Sequence, residues 1–208
     1  RRARAADVAA DARRSVSGML APRIRQYGWV MTTDRGTVAG HDHPDEVAAL
    51  ASRYRGLSRS GPVRLAKPTS NLFRFRAPAS SPGLDVGRLN RVLSVDPEAG
   101  AADVQGMATY ETIVDTLLPY GVMPLVVPQL KTITLGGAVA GLGIESTSFR
   151  NGLPHESVRE LEVLTGDGEV VLARPDNEHA DLYRGFPNSY GTLGYALRLR
   201  IEVEPVRP

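Results

Sequence analysis

The chain has 208 residues, 42 % hydrophobic, 23 % charged and 6 % aromatic, with 21 Gly and 15 Pro. That length suits one large domain or two small ones, and the composition excludes a disordered chain, a coiled coil and a collagen-like repeat. There is no Cys, which removes disulfides, thiolate metal sites, a Cys nucleophile and any cysteinyl cofactor link. Net charge is +2, and seven Arg within the first 25 residues leave the remainder mildly acidic. The body therefore lacks the basic, aromatic-interleaved stripe of a nucleic-acid binder, and no nucleic-acid partner is expected.

Residues 5–20 carry Val8, Ala12, Val16 and Leu20 at every fourth position among Arg, the spacing of an amphipathic helix. Its apolar stripe is too narrow for insertion, although anionic lipid could attract it, so membrane association is left open. Trp29–Thr32 is a short β-like run. Pro44 followed by Asp45 and Glu46 starts a helix, because Pro fits the first turn and carboxylates favour its positive end; the helix should run to about Arg55. Val63–Ala66 reads as a strand that enters the polar turn Lys67–Asn71. Leu84–Val86 and Val92–Asp96 are further strands, the second turning through Asp96-Pro97-Glu98-Ala99-Gly100 into a return strand, Ala102–Gln105. Gly106 ends that strand, Thr109 caps a helix to Leu118, and Gly121 lies just beyond it.

In the second half, Gly166-Asp167-Gly168 joins Leu161–Thr165 to Val170–Leu172 as a hairpin. Leu197, Leu199, Ile201 and Val203 alternate with Arg198, Arg200 and Glu202 in a last strand. Apolar runs are short: Tyr120–Val127 is broken by Pro124 and Ile133–Ile144 by four Gly, so no segment is expected to span a membrane. Helix and strand do not alternate regularly, which predicts an α+β fold rather than a doubly wound parallel sheet. The expected organisation is a lead-in over 1–39, a body over 40–204 with sublobes at about 40–100 and 101–204, and a boundary at 205–208. The chain begins at Arg1-Arg2 without Met, so missing sequence is expected at both ends.

The densest chemical signal is residues 128–148, where four Gly and several hydroxyls lie close together. Gly lets a backbone approach a bulky anion and offers N–H groups without a side chain in the way. The spacing is neither the G-x-G-x-x-G of a dinucleotide fold nor a P-loop, since Leu142 stands where the P-loop Lys would be. A pyrophosphate cradle and a tightly packed Gly segment without ligand both remain open from the residues alone. His41 and His43 sit two apart but lack a third ligand, so a solvated turn and no metal are expected. His155 and His179 read as surface residues. Arg74 and Arg76 alternate with Phe73 and Phe75, which suits a phosphate contact or the exposed face of a strand.

In chain order, the turn at Lys67–Asn71, Asn90–Asp96, Thr134-Leu135-Gly136-Gly137, Gly143-Ile144-Glu145-Ser146-Thr147-Ser148 and Pro187–Gly194 resemble the FAD-binding domain of the vanillyl-alcohol oxidase and p-cresol methylhydroxylase family. The resemblance covers about residues 40–204 and is closest to the Δ24-sterol reductase branch. It implies a two-sublobe fold of that type holding FAD. The diphosphate and flavin side would fall on Lys67, Pro68, Thr69, Ser70, Asn71 and Leu72. The pyrophosphate and ring border would fall on Thr134, Leu135, Gly136, Gly137, Gly141, Gly143, Ile144, Glu145, Ser146 and Ser148, through backbone N–H groups and hydroxyls. Glu145 would hydrogen-bond the flavin or cap a turn. The adenine end would meet main-chain groups of Gly191, Thr192, Gly194 and Tyr195.

The first turn departs from many relatives in having neither Gly nor the His that bonds the flavin covalently, which with the absence of Cys implies non-covalent FAD. The resemblance further implies an oxidoreductase passing hydride through flavin N5, acting on a C=C bond of a sterol or other lipid, with a small-molecule substrate. The alternatives are an alcohol or sugar oxidase or dehydrogenase (aldonolactone, alditol or lipid-linked sugar), and a non-catalytic interaction domain retaining the fold. A substrate domain missing from this chain is expected to supply the catalytic residues, which are not assigned. A cytoplasmic or membrane-peripheral location is expected.

Overall fold

Strand β9, Tyr195–Pro205, is the spine of the fold, because Leu197, Leu199, Ile201 and Val203 are all buried while the charged residues between them are not. It runs antiparallel to β5 (Ala101–Gln105), β7 (Val158–Leu164) and, at its far end, β6 (Val122–Pro124). β5 continues to β4 (Val92–Asp96) and then β1 (Gly36–Thr37), and β7 continues to β8 (Val170–Ala173). The sheet order is β1-β4-β5-β9-β7-β8, with β6 on β9. The structure, a computed structural model, describes residues 36–37, 43–57, 63–67 and 83–206, all within one compact unit, Asp34–Pro208. The expected helix over 5–20, Trp29–Thr32, His41 and Pro68–Arg76 lie outside the described residues.

A second, two-stranded sheet pairs β2 (Leu65–Ala66) with β3 (Leu84–Asp85) in parallel. It stands with helix α1, His43–Gly56, whose first turn holds Asp45 and Glu46 and whose last holds Arg53 and Arg55, matching the helix dipole at both ends. β4 and β5 pair antiparallel across the turn at residue 100 within the large sheet. Mixed helices and a largely antiparallel sheet make the fold α+β, as the irregular order of elements predicts.

Two apolar clusters result. One joins Val104, Leu161, Val163, Leu199 and Ile201 of the large sheet to helix α2 (Tyr110–Leu117), helix α3 (Leu135–Gly141) and Phe186. The other joins Val47, Leu50 and Ala51 of α1 to Leu84, Val86, Leu89, Met107, Leu164 and Leu197. Ala196 and Leu197 are adjacent yet belong to different clusters. The register shifts there, Ala196 facing Val163 and Arg198 facing Glu162, so Leu197 is the extra residue of a bulge and turns toward α1. Each fully buried Leu or Val side chain contributes about 1.5–3 kcal/mol relative to exposure, so one bulge decides which cluster gains that residue.

Polar residues also tie α1 to the large sheet. Gln105, fully buried, donates from Nε2 to Glu46 (2.9 Å) and accepts from the Arg91 N–H (3.0 Å). Those two bonds orient its amide, so the 3.1 Å contact to His43 Nδ1 has Gln105 as donor, and the Nε2–H of His43 is left to donate to Glu162 at 2.6 Å. The solvated turn expected for His43 is therefore replaced by a half-buried, hydrogen-bonded site. The correction is tertiary in origin, since Gln105 and Glu162 are 62 and 119 residues away.

Candidate cofactor site

Residues 134–141, expected as a Gly-rich loop, form helix α3 with Thr134 as its cap. The Gly137 N–H donates to Thr134 Oγ1 at 3.2 Å, and Ala138 N–H donates to Thr134 O at 2.9 Å. Leu135 N–H donates to Ala108 O and Gly136 N–H to Gly106 O, both at 2.9 Å. The N–H groups of Leu135, Gly136 and Gly137, three of those expected to meet a pyrophosphate, are thus used within the protein.

Glycine is required here for approach. A Cβ on Gly136 would lie 2.9 Å from Gly106 O, and one on Gly106 would lie 2.0 Å from Ala196 O. The start of α3, the end of β5 and the start of β9 are therefore stacked backbone on backbone. This stack joins the Thr134–Gly137 segment to the Gly194–Tyr195 segment at one end of the large sheet.

Beyond α3, Leu142 adopts a left-handed φ of 55° and the chain runs through exposed Ile144 into a tight turn. Glu145 N–H donates to Ser148 Oγ (3.0 Å), Ser148 N–H donates back to Glu145 O (3.0 Å), and the Glu145 carboxylate accepts from Gln129 N–H (3.1 Å). Of the two roles open to Glu145, the structure shows the turn-holding one. Burial, with the Glu145 charge adding to it, pushes the Tyr110 phenol far above its ordinary range, so it stays protonated. Ser146 is exposed.

The loop before β9 is held against this one. Asn188 and Tyr190 adopt left-handed φ of 60° and 51°, and their N–H groups donate to Val139 O (3.4 Å) and Ala140 O (2.9 Å) at the end of α3. Left-handed non-glycine residues each carry strain of about 1–2 kcal/mol, and three of them converge on this junction. Thr192 turns back on Ser189 through N–H and Oγ1 bonds to its carbonyl (3.0 and 2.7 Å). Gly194, φ 134°, passes so close to β7 that a Cβ would sit 2.5 Å from Leu164 O. Leu142, Ile144, Tyr190 and Leu193 remain exposed on these loops.

Lys67 is half-buried at the end of β2, while Pro68–Leu72 lie outside the described residues. His155 is not a simple surface residue, since its Nδ1 is buried without a hydrogen-bond partner. His179 is partly exposed with Glu178 at 3.8 Å. Among the described residues no group of three His, Asp or Glu could hold a metal. Sequence reasoning missed Ser189, whose Oγ is buried and unpartnered. The sequence carried no local signal for it, because the left-handed backbone of Asn188 and Tyr190 on either side is a product of the fold.

Residues 43–174 match the family model described as the FAD binding domain. The chain belongs to this family. The match includes α1, the β2 strand that leads to Lys67, and the whole Thr134–Ser148 segment. Among curated relatives, Delta(24)-sterol reductase of Pisum sativum is 32 % identical over 124 residues, 60 % of this chain and 22 % of the relative. Decaprenylphosphoryl-beta-D-ribose oxidase of Mycolicibacterium smegmatis is 31 % identical over 123 residues, 59 % of this chain and 26 % of the relative. Cytokinin dehydrogenase 9 of Oryza sativa is 30 % identical over 103 residues, 50 % of this chain and 20 % of the relative. The chain thus matches about a quarter or less of the length of each.

FAD is the cofactor this family binds, and the residues present fit it. Ser189 Oγ and Tyr195 Oη are buried polar atoms without partners, a state that folded proteins normally avoid by pairing such atoms with protein, water or ligand. Both lie on the strained loop and the strand start that the stack of Gly136, Gly106 and Ala196 holds together.

Proposed function

We propose that this chain is the FAD-binding part of an oxidoreductase of the two-sublobe type, holding the cofactor non-covalently between sublobes at about residues 40–100 and 101–204. The observation that carries the reading is the convergence of α3, the Leu142–Ser148 turn and the Asn188–Tyr195 loop at one end of the sheet, within a chain that belongs to the FAD binding domain family. Bound flavin supplies hydride transfer at N5, and the protein supplies orientation and electrostatics. Lys67, Thr69, Ser70 and Asn71 would meet the diphosphate, with Pro68 and Leu72 shaping the turn. Leu142 and Ile144 would offer apolar surface to the ring, and Ser146 a hydroxyl at its border. Thr134, Leu135, Gly136 and Gly137 would act indirectly, by setting the height of α3 on the sheet. Main-chain groups of Gly191, Thr192, Gly194 and Tyr195 would face the adenine end.

The substrate we favour is a small molecule with a reducible C=C bond, a sterol or another lipid, with the residues that choose it supplied by a further domain of the same polypeptide. The names of the sterol reductase relatives support this. Oxidation of an alcohol or a lipid-linked sugar is the second reading, favoured by the nearly equal identity to the ribose oxidase. Product analysis with the full-length enzyme separates the two. The cofactor assignment is tested by the visible absorption spectrum of the purified protein, followed by acid precipitation. Yellow flavin released to the supernatant is the expected result. A colourless protein that fails to take up added FAD overturns the reading, and colour retained in the pellet overturns its non-covalent part.

A further inference from the structure

We propose that His43 and Gln105 form a proton-operated latch, which fastens the first turn of α1 to the large sheet near neutral pH and loosens it on acidification. The inference is independent of the FAD reading. Both ring nitrogens of His43 are engaged: Nε2 donates to Glu162 Oε2 of β7 at 2.6 Å, and Nδ1 accepts from Gln105 Nε2 of β5 at 3.1 Å. Only the neutral ring protonated at Nε2 does both. The imidazolium carries a second N–H at Nδ1, which would face the Gln105 amide NH2, donor against donor.

The Gln105 amide cannot turn to meet that N–H without loss. Its Oε1 accepts from the Arg91 N–H at 3.0 Å, and its Nε2 also donates to Glu46 Oε2 at 2.9 Å. Turned over, the amide would set its NH2 against the Arg91 N–H and its carbonyl against the Glu46 carboxylate. A proton on His43 therefore costs either its own bond to the amide or the amide's other two. Water is a poor substitute, since Gln105 is fully buried and the His43 side chain is 12 % exposed.

Among the described residues, the charged groups around the ring and the amide come from four elements. Glu162 lies on β7, and Arg198 Nε of β9 is 3.7 Å from the same carboxylate oxygen. Glu46 lies three residues along α1 and pairs with Arg91, just before β4, at 2.6 Å, with the charge of Arg88 also acting on it. The Glu162 carboxylate draws a proton onto His43, and the pinned amide makes that proton disruptive, so the contact has two alternative states. Imidazole is the side chain that ordinarily changes charge between about pH 5 and 8. Glu46 sits below its ordinary value of 4.5 and stays ionised through that range, so His43 titration and Glu46 titration are separable.

The test is nuclear magnetic resonance on the full chain, titrated from about pH 8 to about pH 5. Imidazole nitrogen shifts report which nitrogen of His43 carries the proton, and amide exchange, expressed as a protection factor, reports on the Arg91 N–H. At the alkaline end Nε2 should be protonated and Nδ1 bare. Nδ1 should gain its proton within the titrated range, and Arg91 protection should fall about tenfold in step with it. His43→Gln replaces the ring with an amide that does not titrate, and in this variant Arg91 protection should stay constant. A bare Nε2 at the alkaline end overturns the proposal, as does a ring that stays neutral throughout. So does Arg91 protection that ignores the titration of His43, or that falls equally in His43→Gln. The wild-type titration decides by itself if the variant does not fold.

Discussion

The N–H of Tyr190 donates to the carbonyl of Ala140 at 2.9 Å, and Tyr190 takes a left-handed φ of 51° to do so. That bond fastens the loop entering β9 to the C-terminal end of α3. Fifty residues of chain separate the two, and their junction is the edge on which the cofactor is proposed to lie. The strain at Tyr190 is the cost of this attachment.

Asn188→Gly, at the other left-handed position of this loop, keeps the N–H and removes the steric penalty of the left-handed backbone. Glycine's extra freedom in the unfolded chain offsets part of the gain. Stability in urea should rise by at most about 1 kcal/mol. A loss of more than that would show that the Asn188 side chain, not the backbone, holds the loop.

The stack of Gly136 on Gly106 on Ala196 leaves no room for a Cβ at either glycine. Gly106→Ala should cost about 3 kcal/mol or more, since a carbonyl oxygen 2.0 Å away belongs to a central strand and cannot rotate aside. Gly136→Ala, at 2.9 Å, should cost less, about 1–3 kcal/mol. Chemical denaturation of both variants checks the order. Equal and small effects would mean that α3 can ride up from the sheet.

Thr134 Oγ1 caps α3 by accepting from Gly137. Thr134→Ala should lower stability by about 1 kcal/mol and Thr134→Ser should restore most of it. An α3 rich in glycine has little intrinsic helix preference, so amide exchange in residues 135–141 should speed up more than in the strands. Uniform exchange across the chain would refute this local role.

Gln105 satisfies three partners at once, the Arg91 N–H, the Glu46 carboxylate and His43 Nδ1. Gln105→Leu is close in volume yet leaves all three facing an apolar side chain. The expected loss is about 3 kcal/mol. A denaturation midpoint within error of wild type would show that water replaces the amide.

Burial tends to raise the Glu46 carboxyl, but hydrogen bonds from Gln105 and Arg91 and the charges of Arg91 and Arg88 outweigh it, so it sits below its ordinary value of 4.5. A carboxyl depressed in the folded state stabilises that state above the ordinary value. The contribution is lost as pH falls through the folded value. Stability should therefore decline on acidification below about pH 4.5, and Glu46→Gln should make that decline shallower. An identical pH profile in the variant would rule out Glu46 as a source.

Local chemistry made much of the framework legible. Pro44 with Asp45 and Glu46 marked α1, Thr109 and Gly121 bracketed α2, Asp167 and Gly168 marked the β7–β8 turn, and the alternation from Leu197 to Val203 marked β9. Each signal acts over a few residues, through dihedral preference, capping or period-two burial. Two results ran against local preference. Residues 135–141 form a helix despite Gly136, Gly137 and Gly141, because Thr134 caps it and Leu135, Ala138 and Val139 are buried. The bulge that turns Leu197 toward α1 leaves the period of two in the sequence unbroken.

The candidate site divides in the same way. Which residue types the proposed site would use is a reading of the sequence: small and hydroxyl-bearing residues at Thr134–Ser148 and Gly191–Tyr195. What each of them does was decided only by the tertiary structure. The N–H groups of Leu135, Gly136 and Gly137 are consumed within the protein, His43 is drawn out of a solvated turn, and Ser189 and Tyr195 are left with buried, unpaired hydroxyls. The physical reason is that a donor's availability depends on which acceptor the fold brings within about 3 Å of it, and for these residues the acceptors and the enclosing walls come from distant strands.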